Sequence, residues 1–156
     1  QRAPFHEFPI EAWQRILRTN VDSMIIVGQA VSRRMVVRRR GRIVNIASVL
    51  ALRGAPDQPA YCAAKHGVLG LTRSLALHAA ARGITVNAIC PGWTRTAMAE
   101  ARFAELGIDA ATAAAGIPLG RIVEPGEVAA LALWLASPAA GAITGQALTI
   151  DGGALA

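Results

Sequence analysis

The sequence predicts an α/β fold built around a parallel sheet. Three short apolar runs, at residues 42–47, 84–90 and 147–150, have the length and β-branched composition of buried strands. Segments with helical spacing precede and separate these runs, and this alternation is typical of parallel α/β sheets. The chain has 156 residues, of which 53% are hydrophobic and 17% charged, so one globular domain with a sizeable core is expected.

The first helix is predicted from Glu11 to about Arg40. Asn20 lies in the middle of this run and is a poor helix former, so it marks either a kink or an amide that faces inward. We expect Gly41 to stop the helix. The apolar residues that recur with helical spacing are Trp13, Ile16, Leu17, Val21, Met24, Ile25, Val31 and Met35.

The remaining elements follow the same alternation. A strong helical pattern runs from Ala60 to Arg82 and ends at Gly83, and Pro125 suits the first turn of a helix through Ala136. Residues 94–118 are rich in alanine and lack a strand pattern, so short helices are predicted there; we call this segment the lid. Three strands would leave an apolar edge unpaired, and residue 1 is not Met. We therefore expect the chain to be the C-terminal part of a longer one.

Several classes of protein are disfavoured by composition. Val128 to Ile150 is uncharged, but Ser137-Pro138 and the glycines after it favour a helix, a turn and a strand over a membrane span. The N-terminus lacks the apolar segment of a signal peptide, which favours a cytoplasmic protein. Two cysteines and three scattered histidines show neither disulfide-framework nor metal-ligand spacing, so no metal site is predicted.

The formal net charge of +6 raises the alternative of a nucleic-acid binder. The basic run from Arg33 to Arg42 falls at the end of the first predicted helix, where cations complement the helix dipole. No aromatic side chains alternate with these arginines to stack on bases. The sequence therefore favours a solvated helix end over a nucleic-acid site, and no nucleic-acid or membrane partner is expected.

Tyr61 and Lys65 form the first candidate pair for chemistry. They are the only tyrosine and the only lysine, and a spacing of four places both on one helix face. The pKa of a phenol is about 10, and lowering it by about three units takes roughly 4 kcal/mol. An ammonium about 4 Å away at an effective dielectric of about 20 supplies a comparable energy. We therefore expect Lys65 to lower the pKa of Tyr61, although a surface pair without function has the same spacing.

Two further groups follow predicted strands. Ser48 comes directly after the first strand, and Pro91-Gly92 follows the second. Both positions are at carboxyl ends of strands, where open parallel sheets bind their ligands. A serine hydroxyl there can donate to a carbonyl oxygen that gains negative charge, and the alternative is an ordinary strand-end cap.

Four motifs together resemble the short-chain dehydrogenases/reductases over essentially the whole chain. The resemblance implies the C-terminal half of a doubly wound Rossmann-like parallel sheet, without the N-terminal dinucleotide-binding half. No GxxxGxG phosphate loop occurs in the sequence. The motifs are Asn45-Ile46-Ala47-Ser48, Tyr61-Cys62-Ala63-Ala64-Lys65, Val86-Asn87-Ala88-Ile89-Cys90-Pro91-Gly92, and Ile143-Thr144-Gly145-Gln146 with Asp151-Gly152-Gly153.

The resemblance also implies roles for individual residues. Tyr61 would be the acid/base, Ser48 would position the substrate oxygen, and Lys65 would lower the Tyr61 pKa and bind the nicotinamide ribose. Asn20 would be the fourth catalytic residue, holding a water in a proton relay. The cofactor would be NAD or NADP, between which this chain does not decide. Its nicotinamide half would be contacted by Tyr61, Lys65, Pro91, Gly92, Thr94 and Thr96.

The expected reaction interconverts a ketone and a secondary alcohol. The apolar run Val49 to Leu52 offers nothing to hydrogen-bond a polyol, which favours a 3-oxoacyl or 3-hydroxyacyl substrate. The lid, at residues 94–118, is expected to cover the substrate. Substrate contacts are expected from Ser48, Leu50, Trp93 and Met98, with Trp93 alternatively covering the sheet.

Other readings remain open. Resemblance in the first residues to gluconate 5-dehydrogenases leaves a sugar acid as the alternative substrate. A non-catalytic oligomerising module is the other alternative function. By resemblance the two long helices, at residues 11–40 and 60–82, would form a contact between subunits in a homodimer or homotetramer.

Overall fold

The computed structural model describes residues 5–156, and residues 1–4 lie outside the described part. Three parallel strands alternate with helices, as the sequence predicted. The helices are α1 (Ile10–Leu17), α2 (Ser23–Arg38), α3 (Pro59–Ala79), α4 (Ala97–Leu106), α5 (Ala110–Ala115) and α6 (Pro125–Ala136). The strands are β1 (Gly41–Ile46), β2 (Ile84–Pro91) and β3 (Ala147–Ile150).

The first predicted helix is continuous but contains a wider turn. Arg18–Asp22 is π-helical and joins α1 to α2, so Asn20 does mark an irregularity. The prediction that Gly41 stops this helix is wrong. The helix ends at Arg38 because Arg39 takes the left-handed conformation, with φ at 49°, and Gly41 is already the first residue of β1.

The sheet has the order β1-β2-β3, and both pairs of strands are parallel. Gly41 pairs with Ile84 at the start of the first pair, and Ala88 pairs with Ala147 in the second. Among residues 5–156, β1 therefore has a neighbour on one side only. Its last residue, Ile46, leaves 46% of its surface exposed.

β2 is the centre of the core, and residues 84–90 are all buried. One face of the sheet packs against α3, where Val68 and Leu69 meet Ala88 and Cys90. The other face packs against α6, where Leu135 meets Ile89. Helices therefore cover both faces of a parallel sheet, as in the doubly wound half expected from the resemblance.

The lid contains α4 and α5, which confirms that it forms short helices. It has a small core of its own, made by Ala99, Phe103, Ala113, Ile117 and Ile122. A parallel bridge between Thr94 and Val123 joins the start of the lid to the segment that follows it. No helix within residues 5–156 has both the length and the apolar character needed to cross a membrane.

Candidate active site

Ser48 lies two residues beyond β1, at the carboxyl edge of the sheet. Its backbone is extended, and the next three residues form a 3-10 turn. The Leu50 N–H donates to Ser48 Oγ at 3.1 Å, so the serine does cap this turn. Because the Oγ accepts this bond, its own proton is left to donate elsewhere.

Tyr61 and Lys65 lie in the first two turns of α3, which begins with Pro59. Lys65 Nζ lies 5.5 Å from the centroid of the Tyr61 ring, so the two side chains share one face of the helix. Lys65 is only 8% exposed, and its ammonium donates to the Ile46 carbonyl oxygen at 3.0 Å. That bond connects the face of α3 that carries Tyr61 and Lys65 to the end of β1.

Ser48 and Tyr61 are also in contact. A side-chain hydrogen bond from Ser48 stabilises the ionised form of the Tyr61 phenol and so acts to lower its pKa. The structure thus brings together the hydroxyl groups of Ser48 and Tyr61 and places the Lys65 ammonium beside the phenol ring. These are the three residues that the sequence had put at strand ends or on one helix face.

The expected fall in the pKa of Tyr61 does not hold in this structure. Burial raises the pKa of the phenol above its ordinary value, and the hydrogen bond from Ser48 only opposes that rise. Burial also lowers the pKa of Lys65, whose ammonium is turned to the Ile46 carbonyl. Burial of Tyr61 and Lys65 therefore changes their pKa values more than does the attraction between ammonium and phenolate, on which the expectation was based.

Asn20 lies in the π-helical turn, which packs against α3. Its Nδ2 donates to the Ile16 carbonyl at 3.0 Å, and the residue is half-buried. The neighbouring Val21 side chain comes within 3.8 Å of the position that a Cβ on Gly67 would occupy. The turn is therefore adjacent to the part of α3 that carries Lys65.

The loop after β2 begins with a close approach between two chain segments. Pro91 ends the strand, and a Cβ placed on Gly92 would lie 2.8 Å from Asp151 Cβ, so only glycine fits there. Thr94 Oγ1 donates to the Gly92 carbonyl at 3.1 Å. Thr96 caps α4 by accepting from the Ala99 N–H at 3.2 Å. Both hydroxyl groups thus shape the start of the lid in this structure.

The residues predicted to contact substrate have different surroundings in the structure. Leu50 is half-buried in the turn after Ser48. Trp93 packs on Phe103 of the lid core, with ring centroids 4.9 Å apart, whereas Met98 is 75% exposed. A cavity of about 430 Å³ lies between Leu52 and the C-terminal residues of the chain, and Leu50, Trp93 and Met98 are not among its lining residues. Its lining residues are Leu52, Thr149, Asp151, Gly153, Leu155 and Ala156.

Three features of this region were not found from the sequence. The acceptor for Lys65 is a backbone carbonyl, which no residue pattern marks. Asp57 and Arg102 form an ion pair between the loop before α3 and the lid, across 45 residues. Asp151 is buried beside Gly92. Only the Asp151-Gly152-Gly153 sequence gave a signal for the last of these.

The chain is similar to known oxidoreductases along nearly its whole length. It is 42% identical over 144 residues to a 3-oxoacyl-(acyl-carrier-protein) reductase of Vibrio cholerae. It is 40% identical over 152 residues to a cis-4-hydroxycyclohexanecarboxylate dehydrogenase of Sinomonas cyclohexanicum. These matches cover 92% and 97% of this chain but only 57% and 60% of the relatives. The chain thus spans less than two thirds of the curated relatives it matches.

Solved structures give the same result. A crystal structure provisionally assigned as a gluconate dehydrogenase of Agrobacterium tumefaciens superposes with a TM-score of 0.93 at 34% identity. Acetoin dehydrogenase of Salmonella typhimurium superposes with a TM-score of 0.86, also at 34% identity. The chain is covered to 99% in both, and these structures to 61% and 60%.

A family model completes the comparison. Residues 1–154 match the model described as enoyl-(acyl carrier protein) reductase, so nearly the entire chain is covered. The order of the four motifs, the parallel sheet and these similarities agree with one another. The chain therefore belongs to the short-chain dehydrogenase/reductase family.

Proposed function

We propose that this chain supplies the catalytic residues of a nicotinamide-dependent oxidoreductase that interconverts a ketone and a secondary alcohol. The observation that carries the proposal is the grouping of the Ser48 and Tyr61 hydroxyls with the Lys65 ammonium at the carboxyl edge of a parallel sheet. Ligands of open α/β sheets bind at this edge.

The side chains have suitable chemistry for carbonyl reduction. The Ser48 hydroxyl donates a hydrogen bond and would stabilise negative charge on a substrate oxygen. The raised pKa keeps the Tyr61 phenol protonated near neutral pH, which is the state that a general acid needs. Tyr61 would give its proton to the oxygen as the alcohol forms. In the opposite reaction the phenolate would accept the proton of the alcohol.

The donors at this edge fit the nicotinamide half of NAD or NADP. A phenol and an ammonium are donors suited to ribose hydroxyl groups, and Lys65 has three N–H donors of which one serves Ile46. The nicotinamide would be lined by Pro91, Gly92, Thr94 and Thr96. The Thr96 hydroxyl would then bind the cofactor instead of capping α4. The bound cofactor would supply or accept the hydride. The residues described here do not choose between NAD and NADP.

For the substrate we propose a 3-oxoacyl or 3-hydroxyacyl compound. The turn after Ser48 is apolar from Val49 to Leu52, and Leu52 also lines the adjacent cavity. The similarity to 3-oxoacyl-(acyl-carrier-protein) reductases supports this choice. A sugar acid is the second candidate, because the Agrobacterium structure superposes with a TM-score of 0.93.

The proposal extends to partners and location. Exposed apolar side chains on α2, including Ile26, Val27 and Val37, suit a contact with a second copy in a homodimer or homotetramer. The two free, buried cysteines suit the reducing cytoplasm. We propose small-molecule substrates only and no nucleic-acid partner.

The test uses the full natural chain that contains these residues. Purified enzyme is assayed for oxidation of NADH or NADPH with a 3-oxoacyl thioester and with a 5-oxo sugar acid. We expect turnover of the thioester, and loss of about 10³-fold or more in kcat for Tyr61→Phe with an unchanged circular dichroism spectrum. His66→Ala, an exposed change five residues along the same helix, is the matched control. Near-normal turnover of Tyr61→Phe would contradict the proposal.

A further inference from the structure

The turn that follows β3 is held together by a buried carboxylate. Asp151 is only 7% exposed. Its Oδ1 accepts from the Gly153 N–H at 3.0 Å, and its Oδ2 accepts from the Leu155 N–H at 3.1 Å. Both oxygens thus bind backbone donors of residues 153–155, and hydrogen bonds to a charged group are stronger than neutral ones. The carboxylate therefore fixes the shape of this turn, which we call the C-terminal turn (residues 151–155).

The C-terminal turn contacts the start of the lid. The Gly92 N–H donates to the Ile150 carbonyl at 3.0 Å, directly before Asp151. A Cβ on Gly92 would lie 2.8 Å from Asp151 Cβ and 3.0 Å from Asp151 Cα. The backbone at Gly92 therefore packs directly on Asp151, and its position depends on that of the turn. Trp93 follows and enters the lid core.

The same turn also contacts the end of the lid. The Leu119 N–H donates to the Gly152 carbonyl at 3.1 Å. A Cβ on Gly152 would lie 2.6 Å from Ile117 Cγ2, and one on Gly153 would lie 3.3 Å from the Pro118 ring. Both glycines have positive φ, at 66° and 89°, so the turn needs them for its conformation as well as for space. One short turn thus holds both ends of the lid.

The C-terminal turn also forms part of the wall of the cavity that Leu52 lines. Asp151, Gly153 and Leu155 line one side of it, and Leu52 from the turn after Ser48 lines another. Leu155 takes its place in that wall because its N–H is bound by Asp151. A single carboxylate thus determines the shape of this wall and the position of both lid ends.

We propose that Asp151 is a positioning residue that sets the lid and the cavity wall for substrate binding. This inference rests on the proposed oxidoreductase function, in which the lid covers the substrate. The hydrogen bonds of Asp151 go to the N–H groups of Gly153 and Leu155. We therefore expect its loss to act on substrate binding more than on the chemical step. The effect should therefore appear mainly in KM.

The test compares Asp151→Ala with Asp151→Asn in the full natural chain. Alanine removes both hydrogen bonds, whereas asparagine keeps an oxygen for the Gly153 N–H and loses the acceptor for Leu155. We expect Asp151→Ala to raise the substrate KM by about tenfold and to change kcat by less than about threefold. Asp151→Asn should recover part of this loss. A fall in kcat with an unchanged KM would overturn the inference.

A second measurement does not depend on activity. Trp93 follows Gly92 and packs on Phe103, so its fluorescence reports the start of the lid. Asp151→Ala should shift the tryptophan emission, and the shift should vanish when Trp93→Phe is added, which separates Trp93 from every other tryptophan. If the alanine variant does not fold, Asp151→Asn, which loses the acceptor for the Leu155 N–H, carries the comparison. Unchanged emission in the folded variants would also overturn the inference.

This design separates the two proposals. If the enzyme reduces no carbonyl substrate, the proposed function fails, yet the emission of Trp93 still tests the link between Asp151 and the lid. If Tyr61→Phe abolishes turnover while Asp151→Ala leaves both KM and emission unchanged, only the positioning role of Asp151 fails.

Discussion

Arg102, on lid helix α4, is ion-paired with Asp57, which lies four residues before Tyr61 in the loop that leads into α3. Arg102 also binds Glu105 at 3.0 Å, and its side chain is only 15% exposed. The lid is thus tied to the segment that carries the candidate general acid. Since partly buried charged hydrogen bonds are stronger than surface ones, this pair contributes more than an ordinary surface ion pair.

Removing Arg102 should therefore loosen the lid. We expect Arg102→Ala to lower the free energy of unfolding by about 1–3 kcal/mol, as measured by urea denaturation. Arg95→Ala is the matched control, because Arg95 and Glu124 form a pair whose side chains are about half exposed. That control should lose less than about 1 kcal/mol. Equal losses in the two variants would show that the buried pair has no special role.

Glu127 should make the free energy of unfolding depend on pH in the acidic range. Hydrogen bonds from Arg121, with a further one from the Glu124 backbone, lower the pKa of Glu127 from its ordinary 4.5 to about 2. A lowered folded pKa stabilises the protein above the unfolded pKa, and that stability is lost as pH falls from about 4.5 towards about 2. Urea unfolding at a series of pH values should show this loss in the wild type and a reduced slope in Glu127→Gln.

The phenol of Tyr61 should ionise only above its ordinary range in the protein without bound ligands. Burial is the main cause of the raised pKa, and Ser48 opposes it, so Ser48→Ala should raise the pKa further. The measurement is the ultraviolet difference spectrum of phenolate, with Tyr61→Phe subtracted. A raised folded pKa also means that stability present below about pH 10 is lost at higher pH, and Tyr61→Phe should lack that loss. Ionisation below the ordinary phenol value would contradict this account.

Two glycine substitutions should have opposite effects on stability. Gly92→Ala places a Cβ 2.8 Å from Asp151 Cβ, so we expect a loss of about 1–3 kcal/mol from overpacking. Gly126→Ala, in the first turn of α6, has nothing within 4 Å of the new Cβ and should gain up to about 1 kcal/mol from helix propensity. Thermal or urea unfolding measures the change in stability of each variant. Equal changes in the two variants would show that the chain at Gly92 and Asp151 moves apart at little cost in free energy.

Charge on the exposed face of α2 should weaken self-association. Val27 is 60% exposed on this helix. Val27→Glu is expected to shift sedimentation towards the monomer if a second copy covers this face. Met98→Glu, at a lid residue that is 75% exposed, is the control and should leave the oligomeric state unchanged. A monomeric wild type would remove the basis of the prediction.

The helices, strands and reactive side chains were predictable because periodicity and strand ends are local properties of the sequence. Tyr61 and Lys65 were found from their spacing and rarity, and Ser48 from its place at a strand end. Backbone geometry was harder: Arg39, not Gly41, takes the left-handed conformation that ends α2. Such a choice depends on the contacts of Arg39, whose guanidinium donates to the Ala81 carbonyl at 2.9 Å.

The environment of the site could not be predicted in the same way. The direction of the Tyr61 pKa depends on how deeply the phenol is buried, and sequence spacing does not report depth. Met98 is 75% exposed, because only one face of α4 packs into the lid core, and its contact with substrate stays a prediction. The pairing of Asp57 with Arg102 spans 45 residues and needs the folded lid.

The hydrogen bond between Lys65 and the Ile46 carbonyl has a consequence for reactivity. Ile46 belongs to β1, whose second side has no partner strand among residues 5–156. The ammonium is therefore bonded to an edge strand of the sheet. A further strand paired with β1 would make this bond, and with it the surroundings of the phenol, more rigid. Under the proposed function, proton transfer by Tyr61 would then depend on whether the free edge of β1 is paired.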